Sequence, residues 1–461
     1  VGVYRGVKVI TYSLILLIIL QVTLAVSVHA SYKLDESIEV YLMPNDASKA
    51  INRIVELIDG ANTYVYVAAY MIESSDIAQA LVRAHGRGVD VKIVSDLENV
   101  EGSQINYLRS KGIAIHLDNR PEDYMHNKFI VIDDRIVITG SANFNDRSFR
   151  SYNNDLVIIH SSGIAKKYRE EFLELYNGLF GGGEPTTEHI IDVNGVKVEV
   201  YFSPDDRVVN RIVELINSAN KSIYFAFFVF THEDIANALI RATRRGVIVL
   251  GVIEEQSIQG ISDTRKIYDQ LLANDVGVKP DINPDLMHCK LLIIDNKTVV
   301  TGSFNPTYHA ERKNDENLII IHNSEIAKHY AEWFLKTIYP GTIHLYIKVV
   351  DVSGKPVEDA LVTITNIDRD VSISGSTNAE GVWEKLFPTW KPGERVRIFV
   401  SYGFPSPSTN TTEMRLRNGL NKIVIIVSPS YQHIVILIAI VVVAITVPIV
   451  VKLFKKKQRT T

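Results

Sequence analysis

Two periods of hydrophobicity alternate along most of the chain. Ile51, Ile54, Val55 and Ile58 recur at the spacing of one helical face, after Asn45 and Asp46 as candidate N-caps. Tyr64–Tyr70 then reads as a buried strand, Ile77–Ala84 as a helix and Val89–Val94 as a second strand. The same order of elements returns later, with Asn52–Ile58 repeated residue for residue as Asn210–Ile216. Tyr41-Leu-Met-Pro44 answers Tyr201-Phe-Ser-Pro204, Asp76–Arg83 answers Asp234–Arg241, and Arg87-Gly-Val89 answers Arg245-Gly-Val247. Helices alternating with short apolar strands predict a layered α/β/α sheet in each copy. The expected fold class is therefore α/β, with two duplicated sandwich halves over 38–180 and 197–340. The linker over 181–196 opens with Gly181-Gly-Gly-Glu-Pro185, which breaks both helix and strand.

Beyond Ile343 the helical period stops. Leu345–Val350, Ala360–Thr365, Val396–Val400 and Lys422–Val427 are β-rich runs separated by turns such as Ser353-Gly-Lys-Pro356 and Asn378-Ala-Glu-Gly381. They predict a small β-sandwich over 343–428. The two ends of the chain are patterned differently again. Arg5 and Lys8 precede an apolar run from Val9 to about Val28 that closes on Val28-His-Ala30, which predicts an export signal over 1–30, cleaved or kept as an anchor. Residues 434–451 carry no charge and are about long enough to cross a bilayer; Lys452, Lys455, Lys456, Lys457 and Arg459 follow. A transmembrane helix with a basic cytoplasmic tail over 452–461 is expected. The catalytic region would then lie outside the cell, tethered to the membrane by that C-terminal helix.

Charge changes the picture at one point. The formal balance of −4 conceals an asymmetry, because residues 31–340 hold 32 lysines and arginines against 44 aspartates and glutamates. A surface built for nucleic acid usually carries the opposite sign, so this balance argues against a polynucleotide. The single cysteine, Cys289, excludes an intramolecular disulfide. Lying between His288 and Lys290, it faces the other side of its strand and reads as a core residue.

The chemistry sits in a repeated motif. His126-Asn-Lys128-Phe-Ile-Val-Ile-Asp133 returns as His288-Cys-Lys290-Leu-Leu-Ile-Ile-Asp295, and each copy is followed by Gly-Ser-x-Asn, at Gly140–Asn143 and Gly302–Asn305. Residues two apart on a strand share a face, so each copy presents His and Lys together and then Ser and Asn together: Ser141 with Asn143, Ser303 with Asn305. An imidazole, an ammonium, a hydroxyl and an amide suit the non-bridging oxygens of a phosphate. No dense carboxylate group lies near the motif and no Cys/His set has zinc spacing, so a mechanism without metal or other cofactor is favoured. One histidine attacks phosphorus, the other protonates the leaving alcohol, and water then releases the phosphoryl group. Each imidazole needs an acid to hold its tautomer. Asp155 and Glu316, at nearly equivalent places ahead of Leu-Val-Ile-Ile and Leu-Ile-Ile-Ile strands, are the candidates.

The duplicated H-x-K-x4-D-x6-G-S-x-N pattern resembles the phospholipase D superfamily over about 300 of the 461 residues. The resemblance implies two α/β/α halves meeting at a pseudo-two-fold axis, with the active site between them. It assigns His126 as nucleophile and His288 as general acid and base, and it counts Lys128, Lys290, Asp133 and Asp295 with the catalytic motif. Asp133 and Asp295, beyond the buried strand and out of phase with their lysines, read as more structural than catalytic. The departure from glutamate at Asp155 puts its orienting role in doubt. The 343–428 region resembles the carboxypeptidase regulatory-like, prealbumin-type β domains, which serve as spacers. Phospholipid headgroup hydrolysis is the leading expectation, an extracellular nuclease acting on DNA or RNA the second. A catalytically inactive surface binding protein comes last, because both motif copies are complete.

Overall fold

The computed structural model describes residues 37–341, 343–387, 393–403, 408–417 and 419–427. The expected export signal over 1–30, membrane helix over 434–451 and basic tail over 452–461 lie outside them. Among the described residues no helix is long and apolar enough to cross a membrane.

The first half is a seven-stranded sheet: β1 (Ile38–Leu42), β2 (Tyr64–Ala69), β3 (Asp90–Asp96), β4 (Ala114–Asp118), β5 (Lys128–Ile132), β6 (Ile136–Gly140) and β7 (Asp155–His160). Its spatial order is β1-β7-β6-β5-β2-β3-β4. β2, β3 and β4 run parallel, joined by helical crossovers, and the remaining pairs are antiparallel. The second half repeats this with an added edge strand, β8 (Ile190–Val193). It continues with β9 (Val196–Ser203), β10 (Ser222–Phe227), β11 (Ile248–Ile253), β12 (Gly277–Pro280), β13 (Lys290–Ile294), β14 (Thr298–Gly302) and β15 (Glu316–His322), in the order β12-β11-β10-β13-β14-β15-β9-β8.

The motif strands explain how the halves meet. Every residue of β5 and of β13 is buried, as expected of a sheet covered on both faces. In β5, Ile130 and Ile132 pack with the helices Ala47–Asp59 and Ser75–Gly86 of their own half. Phe129 and Val131 face the other way, into an apolar cluster that also takes Leu291 and Ile293 of β13. The helices Ser162–Tyr176 and Ser324–Trp333 contribute Tyr168, Phe172, Tyr330 and Trp333 to that same cluster. One side of each sheet thus belongs to its own half, and the other side is shared.

Two expectations are adjusted here. Asp46 occupies the N-cap of the first helix, but its carboxylate accepts from the Leu42 N–H behind it rather than from the helix. Asp133 and Asp295 are not at the active site. Each lies at the far end of its five-residue strand, about 16 Å from the lysine at a strand's rise per residue. There Asp133 accepts the backbone N–H groups of Asn62, Thr63 and Tyr64 at 2.8, 2.7 and 2.9 Å. Asp295 takes those of Asn220, Lys221 and Ser222 at 2.9, 2.7 and 2.9 Å. These aspartates pin the turn that leads into β2 and β10, so their place in the motif is architectural.

After the halves come, among the described residues, seven strands in two sheets over one apolar core. β16 (Ile343–Asp351), β19 (Val382–Phe387) and β22 (Gly419–Val427) form one sheet; β17 (Leu361–Asn366), β18 (Val371–Ser376), β20 (Arg395–Tyr402) and β21 (Ser408–Arg415) form the other. Leu345, Ile347, Val362, Ile364, Ile398 and Val400 fill the space between them.

Candidate active site

Each histidine lies just ahead of its strand, in a segment stitched to the opposite half. Met125 forms an isolated parallel bridge with Asp315, and Met287 forms the equivalent bridge with Asn153. The His126 N–H donates to the Asp315 carbonyl at 3.0 Å, and the His288 N–H to the Asn153 carbonyl at 2.9 Å. Two carboxylates at strand ends fix the same segments from the other side: Asp96 accepts the Met125 N–H at 3.1 Å and Glu254 the Met287 N–H at 2.8 Å. Burial raises these acids, Asp96 to about 6 and Glu254 to about 7. They escaped the sequence reading, though one signal was there: both copies end the same strand with an acid.

Because of this stitching, the residue that holds each imidazole comes from the other half. The His126 Nδ1 lies 2.7 and 2.9 Å from the two Glu316 carboxylate oxygens, so Nδ1–H donates to the carboxylate and leaves Nε2 free. His288 Nδ1 faces the amide oxygen of Asn154 at 3.1 Å. Asp155 does not touch His288. Asn154 stands as far beyond His126 as Glu316 stands beyond His288, so Asn154 is the true counterpart. Asp155 matches Asn317 instead. Its carboxylate accepts from Ser141 Oγ at 2.7 Å, Thr301 Oγ1 at 2.6 Å and Tyr330 Oη at 2.8 Å. Asn317 mirrors it, accepting from Thr139 Oγ1 at 2.7 Å and Tyr168 Oη at 3.3 Å. Both form polar ties across the shared core.

The lysines complete the cluster. Lys128 Nζ donates to the His126 carbonyl at 2.6 Å and Lys290 Nζ to the His288 carbonyl at 2.7 Å, and both side chains are almost wholly buried. Burial lowers Lys290 to about 7 and puts Lys128 well below its ordinary value, with Lys290 adding to the effect. Burial, together with the charges of Lys128 and Lys290 and only partly opposed by Glu316, lowers His126 to about 4. His288 is likewise driven down by burial and by Lys290, Lys128 and His126. Glu316 stays ionised: burial raises its carboxyl, but His126 and Lys128 outweigh that. Four cationic or potentially cationic groups thus feel one another with Glu316 as the carboxylate in contact. Such a cluster is short of an anion.

The serines and asparagines of the motif part company. Ser141 Oγ is engaged with Asn154 and Asp155, and Ser303 Oγ accepts from the Asn317 N–H at 3.0 Å. Both are fully buried and lie behind the orienting residues rather than open to a ligand. Asn143 and Asn305, in contrast, have buried side-chain oxygens without a protein partner. Cys289 is buried with Sγ against the Asn153 carbonyl at 3.3 Å, and burial pushes its thiol well above the ordinary value, as suits a core residue. A symmetric aromatic pair, also missed from sequence, covers the cluster. Tyr70 meets His126 edge-on with ring centroids 4.9 Å apart, and Phe228 lies 4.7 Å from His288. Lys128 and Lys290 point over these same two rings, at 5.3 and 5.0 Å.

Known proteins resemble both halves of this chain. The family described as "Cardiolipin synthase, PLD-like domain" matches residues 54–176 and 212–338, once for each half. A phospholipase D of Rickettsia prowazekii (strain Madrid E) is 33 % identical over 157 residues, 34 % of this chain and 75 % of that protein. A mitochondrial cardiolipin hydrolase of Xenopus laevis is 34 % identical over 129 residues, 28 % of this chain and 61 % of that protein. Among solved structures, the phosphatidylserine synthase of Haemophilus influenzae Rd KW20 superimposes with a TM-score of 0.52 at 16 % identity. It covers 64 % of this chain and 84 % of its own, a likeness of fold.

Proposed function

We propose that this chain, which belongs to the phospholipase D family, hydrolyses phospholipid phosphodiesters through a phosphohistidine on His126. The observation that carries the reading is the His126–Glu316 pair, closed across the two halves inside a buried cluster short of an anion. A phosphodiester supplies the missing negative charge. Lys128 and Lys290 neutralise its non-bridging oxygens, while the amides of Asn143 and Asn305 fix their direction. Glu316 holds the Nδ1 proton of His126, so Nε2 attacks phosphorus in line and the P–O bond to the alcohol breaks. His288 takes up a proton as the anion arrives and passes it to the leaving oxygen. Water then attacks the phosphohistidine, His288 removes its proton, and the P–N bond breaks to restore His126.

Two further observations support a lipid headgroup over a polynucleotide. The relatives above are named for phospholipid cleavage. In addition, acidic residues crowd the approach: Glu98, Asp96, Glu122 and Asp123 surround Tyr124, which packs edge-on against Tyr70 beside His126. That field favours a neutral or cationic headgroup and repels a polyanion. The apolar run near the start of the chain read as an export signal, the 343–428 region read as a β-sandwich spacer and the uncharged run 434–451 read as a membrane anchor would hold the site outside the cell, near the bilayer that carries such substrates.

The test is headgroup release from vesicles of phosphatidylcholine, phosphatidylethanolamine and cardiolipin, run beside single-stranded DNA. His126→Ala should lower the rate about 10³-fold or more. Unchanged turnover in that variant would overturn the enzymatic reading, and cleavage of DNA alone would overturn the substrate class. Proton uptake on binding is a second readout. Calorimetry in buffers of differing ionisation heat should show protons entering the site with a phosphodiester analogue.

A further inference from the structure

The last helix of the first half carries a group that the chemistry above does not use. Glu171 lies on the shared-core side of Ser162–Tyr176 and is 8 % exposed. Among the described residues its carboxylate makes no hydrogen bond and no ion pair. At the matching place in the second half stands Trp333, 5 % exposed, so the fold accepts an apolar side chain there. A buried carboxylate without a partner is a costly choice at such a place. Glu171 is aimed at two more acids. One oxygen each of Glu171, Glu174 and Asp205 lie within 4.8 Å of one another. Burial raises all three acids; Asp315, Asp205 and Glu174 add to the effect on Glu171, Asp205 to that on Glu174, and Asp206 and Glu184 to that on Asp205.

The linker closes over this group. The Gly183 N–H donates to Asp205 at 2.5 Å and the Glu184 N–H reaches Glu174 at 3.4 Å. A Cβ at position 183 would run into the Glu174 carboxylate and crowd that of Asp205, so the glycine lets the backbone approach. Glu174 and Asp205 come from different halves, and their counterparts in the repeat, Lys336 and Asn45, do not rebuild the cluster.

We propose that Glu171, Glu174 and Asp205 bind a hard divalent cation, Ca2+ being the best fit, which clasps the end of the first half to the start of the second beneath the linker. Three carboxylate oxygens at this separation suit an oxygen-coordinated ion of flexible geometry, with water completing the shell. Zinc is disfavoured because no His or Cys joins the set. The site lies apart from the histidines and lysines, none of which touches these acids, so the ion stabilises the assembly and takes no part in the displacement. The route to the active site is indirect: Gly181 N–H donates to Asp315 at 2.7 Å, and Asp315 precedes the acid that holds His126.

The experiment is a thermal melt and a calorimetric titration of the full-length chain, stripped with EDTA and then given CaCl2 or MgCl2. The expected result is one-site binding of Ca2+, with the melting temperature rising by about 5 °C at a hundredfold excess over Kd. Glu171→Gln should abolish both the binding heat and the shift, while melting no lower than the stripped wild type because the repulsion is relieved. Asp205→Asn should do the same. Absence of one-site Ca2+ binding in the wild type, or an undiminished shift in Glu171→Gln, overturns the proposal. Headgroup release well below the melting temperature should survive EDTA; its complete loss there would place the ion in the reaction and overturn the stabilising role.

Discussion

At the scale of single residues, the two histidines have unequal partners. His126 has a carboxylate and His288 an amide oxygen, so replacing the partners should have unequal effects. Glu316→Gln removes the charge that fixes the tautomer of the nucleophile, and kcat should fall about 10³-fold. Asn154→Ala removes a neutral acceptor and should cost about tenfold. Steady-state kinetics on a soluble short-chain phospholipid measures both, and equal losses would contradict the assignment of roles. The pH profile is the second check. His126 must be unprotonated to attack and titrates near 4, so kcat/KM should rise through about pH 4. Lys290 must be charged to hold phosphate and titrates near 7, so kcat/KM should fall above about pH 7. The motif made His126, Lys128, His288 and Lys290 legible in the sequence, because two copies at one spacing leave little room for accident. It could not show that an orienting residue serves the opposite half. That depends on the bridges Met125–Asp315 and Asn153–Met287, and contacts between distant segments leave no local pattern. The one-residue displacement of acid between Asn154-Asp155 and Glu316-Asn317 made Asp155 the obvious and mistaken choice.

At the scale of elements, buried acids do structural work in both copies. Asp133→Ala should leave kcat/KM near that of the wild type but destabilise the fold by about 2–4 kcal/mol, since three backbone donors lose their acceptor. Chemical denaturation reads the loss, and a large drop in kcat at a temperature where the variant is folded would return Asp133 to the chemistry. A second pair sits on the matching strands β1 and β9. Glu39 holds Tyr41, Arg53 and His160, and Glu199 holds Tyr201, Arg211 and His322. Glu199 is 1 % exposed, whereas the Glu39 side chain keeps 24 % of its surface. Glu199→Gln should therefore cost about 3 kcal/mol and Glu39→Gln about 1 kcal/mol, the latter discounted for solvent. Burial alone would raise Glu39, but its bonds to His160, Arg53 and Tyr41 lower it to about 2. Its contribution is present above the ordinary carboxylate range and is lost as pH falls toward 2. The strands and helices themselves were readable from period and repeat. Their layering was readable only in part, because β5 buries both faces and an unbroken apolar run does not say which face meets the other half.

At the scale of the whole molecule, the shared core and the crossed hydrogen bonds hold the halves together independently of the chain between them. A protease site inserted beside the exposed Thr187 and cut after folding should leave two pieces that co-elute and retain most of the headgroup-release activity. Separation of the pieces on a sizing column would show that the covalent link carries the assembly. The duplication and the linker were plain from the sequence. The tightness of the junction was not, since it rests on side chains such as Thr139, Tyr168, Thr301 and Tyr330 whose partners lie far away in the chain.

The unequal partners of the two histidines have one more consequence, for direction. Two copies of a single half, related by strict two-fold symmetry, would give both histidines the same neighbour, and a substrate could enter either way round. Fused and diverged, this chain gives one imidazole a carboxylate and the other an amide. The departing headgroup therefore leaves on the His288 side, and the phosphatidyl adduct, trapped by an alkaline quench that spares the P–N bond and mapped by peptide mass spectrometry, should sit on the His126 peptide alone.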